Sequence, residues 1–335
     1  MEDLLQLNDN GLYCPAADVY IDPWNPVRRA LITHGHADHS RPGHKAYLCT
    51  HTARPVIRYR LGRHIKVQSV AYGEVLTIKG VHFSFHPAGH IPGSAQIRVE
   101  HEGQVWVVSG DYKVEDDGLS EAFEPVPCQV FITESTFGLP VYRWKPQAEI
   151  FDEINDWWRK NRAEGKTSVL GAYALGKAQR LLKYLDPEIG PIFTHGAIEN
   201  VTAVLRAQKL KFPETQRVIN KFKKKDYAGA MVLATPSAMG SSWVRRLGPY
   251  STGLASGWMQ LRGARRRRAA DRGFVLSDHA DWPGLISAIE ATGAERVLVT
   301  HGYTELFSRW LNENGRQAQP LETQYTGELL DESGE

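Results

Sequence analysis

Short apolar runs punctuated by Gly, Pro, Asp and His mark the first 140 residues, at 30–33, 46–49, 81–85, 95–99, 105–109 and 130–133. Runs this brief, bounded by turn formers, predict strands, because an amphipathic helix needs a longer stretch to develop its face. After Pro146 the period changes. Ile150, Phe151, Ile154, Trp157 and Trp158 recur at helical spacing, with Pro146 near the start and Gly165 as a stop. Residues 167–171 predict an apolar strand and 176–185 a helix. Residues 201–233 read as mainly helical and basic, and 235–263 as loop-rich. Strand character returns at 274–277, a helix follows over 285–292, and a last strand covers 296–300. The pattern predicts an α/β chain that begins as a β-rich layer, passes through α/β material and ends by returning to strand and helix.

Composition adds the scale. A chain of 335 residues with 42% hydrophobic and 23% charged positions buries a sizeable core, as two domains or as one large domain with an insertion. No run of about 18 uncharged apolar residues exists, and Met1, Glu2, Asp3, Leu4 and Leu5 lack the basic-then-apolar layout of a signal peptide, so a cytoplasmic location and no membrane partner are expected. Cys14, Cys49 and Cys128 are scattered and odd in number, which supports neither a disulfide framework nor a thiolate zinc site. The net charge of +2 hides an asymmetry: residues 206–225 hold eight Lys or Arg against Glu214, and residues 262–272 hold six Arg against Asp271. Such a middle third suits a polyanion, though a charge run is more often a solvated face and alone decides nothing.

The strongest chemical signal is Thr33-His34-Gly35-His36-Ala37-Asp38-His39, directly after an apolar run. Three imidazoles and a carboxylate in six residues are ligands suited to zinc, and Gly35 is expected to let the backbone turn tightly between them. This His-x-His-x-Asp-His run resembles the metallo-β-lactamase superfamily. The further features of that family can be matched in order: Asp18 as the leading aspartate that braces the metal loop, Ala88-Gly89-His90, Ser109-Gly110-Asp111 and Val299-Thr300-His301-Gly302. The resemblance implies that His34, His36 and His90 hold a first metal, that Asp38, His39 and His301 hold a second, and that Asp111 bridges both. Zinc is the implied metal, with manganese able to occupy the same ligand set.

Phe131-Ile132-Thr133-Glu134-Ser135-Thr136-Phe137 and Leu276-Ser277-Asp278-His279-Ala280-Asp281 resemble motifs of the β-CASP nucleases, the members of the superfamily that act on nucleic acids. Residues 171–179, Gly-Ala-Tyr-Ala-Leu-Gly-Lys-Ala-Gln, resemble the Gly-rich turn and helix of the β-CASP insertion. The implied fold is a metallo-β-lactamase αββα sandwich over residues 1–143 and 271–335, interrupted by an α/β insertion over 144–270. Motif wording and compact size look most like the bacterial ligase-associated DNA exonucleases, which implies repair work beside a DNA ligase and a helicase. Eukaryotic relatives acting on DNA usually lack a histidine at the place of His301, whereas RNA-processing members carry it, so RNA remains the alternative substrate. A small-molecule metallohydrolase on the same scaffold would leave Glu134, His279 and the basic insertion unexplained.

In such a site two metals about 3.5–4 Å apart activate a water for in-line attack on phosphorus, with Asp38 and Asp111 holding the metals. His279 is the candidate proton donor to the leaving oxygen, oriented by Glu134 or Asp278; alternatively Glu134 and His279 tie the insertion to the core. Gly176 and Lys177 open a helix and read as a phosphate site, against the alternative of an ordinary exposed helix lysine. Arg265, Arg266, Arg267 and Arg268, with the lysines of 221–225, extend a basic track. Trp243 and Trp258 are either stacking surfaces for bases or core residues.

Overall fold

The structure, a computed structural model, describes residues 3–261 and 270–325. The α/β chain divides into two compact units, residues 3–143 with 279–325, and residues 144–261 with 270–278. Arg265, Arg266, Arg267 and Arg268, and the acidic tail after Gly327, lie outside the described residues.

The first unit holds two sheets. One has six strands in chain order, Gln6–Asn8, Gly11–Cys14, Val19–Ile21, Ala30–Leu31, Tyr47–Thr50 and Val67–Val70; pairing is antiparallel up to Val19–Ile21 and parallel after it. The other has seven strands ordered Gln317–Pro320, Arg296–Gly302, Val130–Ser135, Gln104–Val108, Ala95–His101, Val81–Pro87 and Leu76–Ile78. Its first four pair in parallel, the rest antiparallel. Side chains alternate across a strand, so Trp106, Ile132 and Leu298 join Leu12, Ile21 and Leu31 of the facing sheet in one core. Their neighbours Val107, Phe131 and Val297 point the other way. They pack on Leu285 and Ile289 of the helix Trp282–Thr292 and on Phe307 and Leu311 of the helix Thr304–Glu313. Burial on both faces explains why the strands read as continuous apolar runs rather than alternating ones. On the far side of the first sheet, Ala53 and Ile57 of the helix Ala53–Leu61 cover Ala30, Tyr47 and Cys49.

The second unit is built on a six-stranded, wholly parallel sheet, ordered Gln216–Arg217, Ile192–Thr194, Met231–Ala234, Thr167–Gly171, Tyr250–Ala255 and Arg272–Phe274. The helix Gln147–Ala163 buries the predicted Ile150, Phe151, Ile154, Trp157 and Trp158. Three differences from the sequence pattern appear here. The helix Gly196–Ala207 stops early in the stretch read as helical, and the chain leaves it through Lys209 at φ +71°. Beyond it come the strands Gln216–Arg217 and Met231–Ala234, too short to carry a period. Within the stretch read as loop, Tyr250–Ala255 is a strand, and Arg272–Phe274 pairs with it. Residues 271–278 therefore associate with the second sheet, where the sequence places the return to the first part at 271.

Among the described residues no helix is long and apolar enough to cross a membrane. Cys14 and Cys49 are buried, Cys128 is partly buried, and all three are free thiols.

Candidate metal centre

Every element of the centre described here belongs to the first unit. The strand Ala30–Leu31 runs into buried Ile32, Thr33 and His34, and the loop that follows is gripped from one side by Asp22. The Asp22 carboxylate accepts the Thr33 amide at 2.8 Å, accepts the Thr33 hydroxyl, and lies 2.8 Å from His39 Nδ1. Asp18, expected in that role, sits at the other end of the strand Val19–Ile21, where it meets Tyr13 Oη at 3.3 Å and Lys79 Nζ at 3.5 Å. The contacts expected of Asp18 are made instead by Asp22, four positions on. We expect Asp22→Ala to weaken metal affinity by about 10–100-fold, the usual consequence of removing an outer partner of a liganding histidine. Chelator competition would measure it, with Asp18→Ala as the unaffected control.

His90 and Asp111 are delivered by two close backbone crossings. Gly89, at φ +76°, passes so near the Lys113 carbonyl that a Cβ there would fall 2.1 Å from its oxygen, and Gly110, at φ +59°, would press a Cβ onto the Thr33 side chain at 2.7 Å. Only glycine allows these approaches. Gly35, expected to supply the tight turn, is not one of the left-handed glycines; its carbonyl instead accepts from Arg60 Nη1 at 2.7 Å. His301 comes from the strand Arg296–Gly302.

The candidate ligand atoms fall into groups, two of them made with the histidines of the loop, that share Asp111. Its Oδ2 lies 3.5 Å from His34 Nε2 and 3.7 Å from His90 Nε2, while His90 Nε2 and His36 Nδ1 face one another at 3.0 Å. Its Oδ1 lies 3.5 Å from His39 Nε2 and 2.9 Å from His301 Nε2. Asp38 Oδ2 stands 3.7 Å from His39 Nε2. Within each group, His34, His36, His90 and Asp111 on one side and His39, His301 and Asp111 on the other, the candidate ligand atoms all lie within 4.8 Å of one another.

These residues fit divalent cations on the evidence of their own hydrogen bonding. His34 Nε2 and His39 Nε2 are buried with no hydrogen-bond partner. An unsatisfied buried polar atom costs about 1–3 kcal/mol, and a fold with no use for it would not accumulate two side by side. The opposite ring nitrogens are anchored: His34 Nδ1 to Thr33 Oγ1 at 3.1 Å, His39 Nδ1 to Asp22, and His301 Nδ1 to Thr300 Oγ1 at 3.1 Å. Anchoring one nitrogen so that the other points inward is the arrangement that presents an imidazole to a metal.

Electrostatics agree. Burial, reinforced by His39, pushes the pKa of His34 well below the usual histidine range. Burial opposes protonation of His39 too, but Asp38, Asp111 and Asp22 outweigh it and push its pKa up to about 10. Burial likewise opposes ionisation of Asp111, yet His39, His301 and His279 hold its carboxyl well below the usual range. The pocket thus holds carboxylates ionised among imidazoles that cannot all carry protons, an environment that favours cations with mixed nitrogen and oxygen ligands.

Beside the centre lies the buried pair Glu134 and His279. His279 Nδ1 is 3.0 Å and 2.9 Å from the two Glu134 oxygens, and Glu134 Oε1 also accepts the Tyr112 amide at 2.8 Å. The His279 ring is 4.6 Å from that of His90, and candidate ligand atoms of Asp111, Glu134 and His279 lie within 4.8 Å of one another. Glu134 is thus the carboxylate seen hydrogen-bonded to the ring of His279. Asp278 belongs to an ion cluster of the second unit: its oxygens are 3.8 Å from Lys177 Nζ and 3.3 Å from Arg180 Nη1, and Arg180 also donates to the Ser277 carbonyl at 2.6 Å. Lys177 is buried, contrary to the picture of an exposed helix lysine, and the Gly176 amide donates to Gln179 Oε1 at 2.9 Å rather than awaiting an anion. Trp258 is buried and Trp243 half-buried.

Sequence reading missed Tyr325. Its ring stacks on His39 at 4.4 Å and 14°, and its hydroxyl donates to the Asp22 carbonyl at 3.1 Å. Nothing local could have flagged it, since it stands alone far from the motif it covers.

No family model matches the chain. It is 33% identical over 313 residues, 92% of its length, to a protein of Opitutus terrae named "Probable DNA ligase", of which the match occupies 30%. It is 23% identical over 292 residues to an endoribonuclease of Schizosaccharomyces pombe, covering 71% of this chain and 38% of that one. The chain thus spans about a third of the length of these curated relatives. A solved protein of unknown function from Enterococcus faecalis superposes with a TM-score of 0.60 at 8% identity, over 89% of this chain and 80% of that one, a likeness of fold.

Proposed function

We propose that this chain is a metal-dependent nuclease of the metallo-β-lactamase superfamily and of the β-CASP type, hydrolysing phosphodiester bonds with two divalent cations, and that DNA is its substrate. The observation that carries the reading is the division of Asp111, one oxygen toward His34 and His90, the other toward His39 and His301. The similarities to an endoribonuclease and to a protein named a DNA ligase support a nuclease of this family acting on nucleic acid. DNA is favoured because the match to the "Probable DNA ligase" covers nearly the whole chain, and a role in repair beside a ligase and a helicase is part of this proposal. RNA is the second reading, favoured by the endoribonuclease and by His301 lying 2.9 Å from Asp111.

In this reading His34, His36, His90 and Asp111 hold one cation, and Asp38, His39, His301 and Asp111 the other. When bound, two such cations lower the pKa of water and neutralise phosphoryl oxygens. The chain's own groups do the rest. Glu134 accepts from His279 Nδ1 and stabilises the imidazolium, so that Nε2 can hand its proton to the departing oxygen. Asp22 and Tyr325 hold the His39 ring in place.

The test offers matched DNA and RNA strands, labelled separately at either end, to protein dialysed against chelator and then reloaded with Zn²⁺ or Mn²⁺. We expect loss of cleavage on chelation, recovery on reloading, and stepwise shortening of DNA from one end. Cleavage that survives complete metal removal would overturn the proposal, and RNA turnover exceeding that of DNA would favour the second reading.

A further inference from the structure

In open parallel sheets, ligands gather where strands end at their carboxyl edges. In the second unit, Ile192–Thr194 ends at His195, Gln216–Arg217 ends on Arg217, and Met231–Ala234 leads to the short helix Ser242–Arg245, which carries Trp243 and is followed by Arg246. Three of these side chains meet, and the fourth, Arg217, lies against the residue that follows His195. The His195 and Trp243 rings are 5.0 Å apart, and the Arg246 guanidinium stands 5.4 Å from the Trp243 ring. The Arg217 guanidinium lies over Gly196, where a Cβ would come within 2.5 Å of it.

Among the described residues no carboxylate forms an ion pair with Arg217 or Arg246. Arg217 Nη1 donates to Asn200 Oδ1 at 3.3 Å and Arg246 Nη1 to Asn220 Oδ1 at 3.1 Å, both neutral amides. Arg246 Nε is buried without a hydrogen-bond partner. Nearby Arg206 shows how the fold treats a structural arginine: it meets Glu199 at 3.2 Å and is finished by the Pro213 carbonyl and the Thr215 hydroxyl. Burial, and then Arg217 and Arg246, hold His195 below the usual histidine pKa, so the imidazole stays neutral between two guanidinium groups. Exposed Lys221, Lys223, Lys224 and Lys225 follow along the chain. Guanidinium groups with open donors beside an aromatic ring are what a single strand requires, since phosphates bind the charge and bases stack on rings.

We infer that His195, Arg217, Trp243 and Arg246 form a binding site for backbone phosphates of a nucleic-acid strand, with the Trp243 ring as a surface for a neighbouring base. That the ligand is a strand rests on the nuclease reading; that it is a phosphate rests on the guanidinium groups alone.

The test measures binding of a labelled, nonhydrolysable phosphorothioate single strand to the full chain across a salt series, for wild type, R217Q/R246Q and W243L. The double variant should bind at least about tenfold more weakly, with a log–log salt slope smaller by about 1.4, two phosphate contacts at about 0.7 each. W243L should lose affinity with its slope unchanged. Melting temperature and metal content, read in parallel, should match wild type. Should the double variant fold poorly, R217Q alone, altering an exposed side chain, should lower the slope by about 0.7. An unchanged slope in a folded variant would overturn the site. Inorganic phosphate or a mononucleotide competing at concentrations near the strand's own Kd would also overturn it, marking a pocket for a free phosphate instead. A wild type that binds the strand through these arginines yet cleaves no nucleic acid would uphold the site while the nuclease reading fails.

Discussion

Asp111→Ala is expected to abolish phosphodiester cleavage, by about three or more factors of ten, while the protein stays folded. The two oxygens of Asp111 reach both groups of histidines, within 3.5–3.7 Å of His34 and His90 on one side and 2.9–3.5 Å of His39 and His301 on the other. Its loss removes the shared anion from among four imidazoles, so the cations would be held apart and more weakly. Metal catalysis of this kind supplies several kcal/mol, and each 1.36 kcal/mol is a factor of ten. Elemental analysis should show metal per chain falling below wild type, and melting should remain cooperative. Near-normal turnover by the variant would sink the two-metal proposal.

His279→Ala should behave in another way. Glu134 and His279 form a buried pair whose Nδ1 to oxygen distances of 2.9 and 3.0 Å fix the ring beside Asp111. Removing a positioned acid costs about 10²–10⁴-fold in turnover. Metal content should stay at the wild-type level, and added metal should restore nothing. A nitrophenyl phosphodiester, whose leaving oxygen needs little protonation, should be impaired far less than a nucleic acid. Equal loss on both substrates would show that His279 positions substrate or supports the fold, and its role as a proton donor would be withdrawn.

The contrast between the two aspartates near the start of the chain shows how far sequence reading carries. Asp18 and Asp22 flank the same three-residue strand, Val19–Ile21, and differ only in the end they occupy. The parallel register, Tyr20 opposite Ala30 and Ile21 opposite Leu31, places Asp22 beside Thr33 and leaves Asp18 at the far end. Register is a tertiary fact that two short apolar runs do not announce. The histidines were legible for the opposite reason: three of them crowd into one loop, and the others follow apolar runs that read plainly as strands. The burial of Lys177 is not announced by the helical pattern around it, since one of its neighbours, Asp278, stands far along the chain. Between 208 and 233, strands of two and four residues leave no period to detect.

The first unit is discontinuous, and this bears on how the protein comes into being. The strand Val130–Ser135 finds its parallel neighbour only in Arg296–Gly302, Phe131 lying opposite Val297 across the whole intervening unit. Pairings so distant along the chain are slow to close, because the loop entropy must be spent before any contact rewards it. During synthesis the loop carrying His34, His36, Asp38 and His39 emerges long before His301 exists. The described residues of the second unit, which lie in sequence between the two parts of the first, are made in that interval. On the proposed reading, a nascent chain can therefore offer a metal the first cluster of imidazoles early, but the full ligand set only when the closing strand docks. On the proposed two-metal reading, completion of the site is thus a late event of folding.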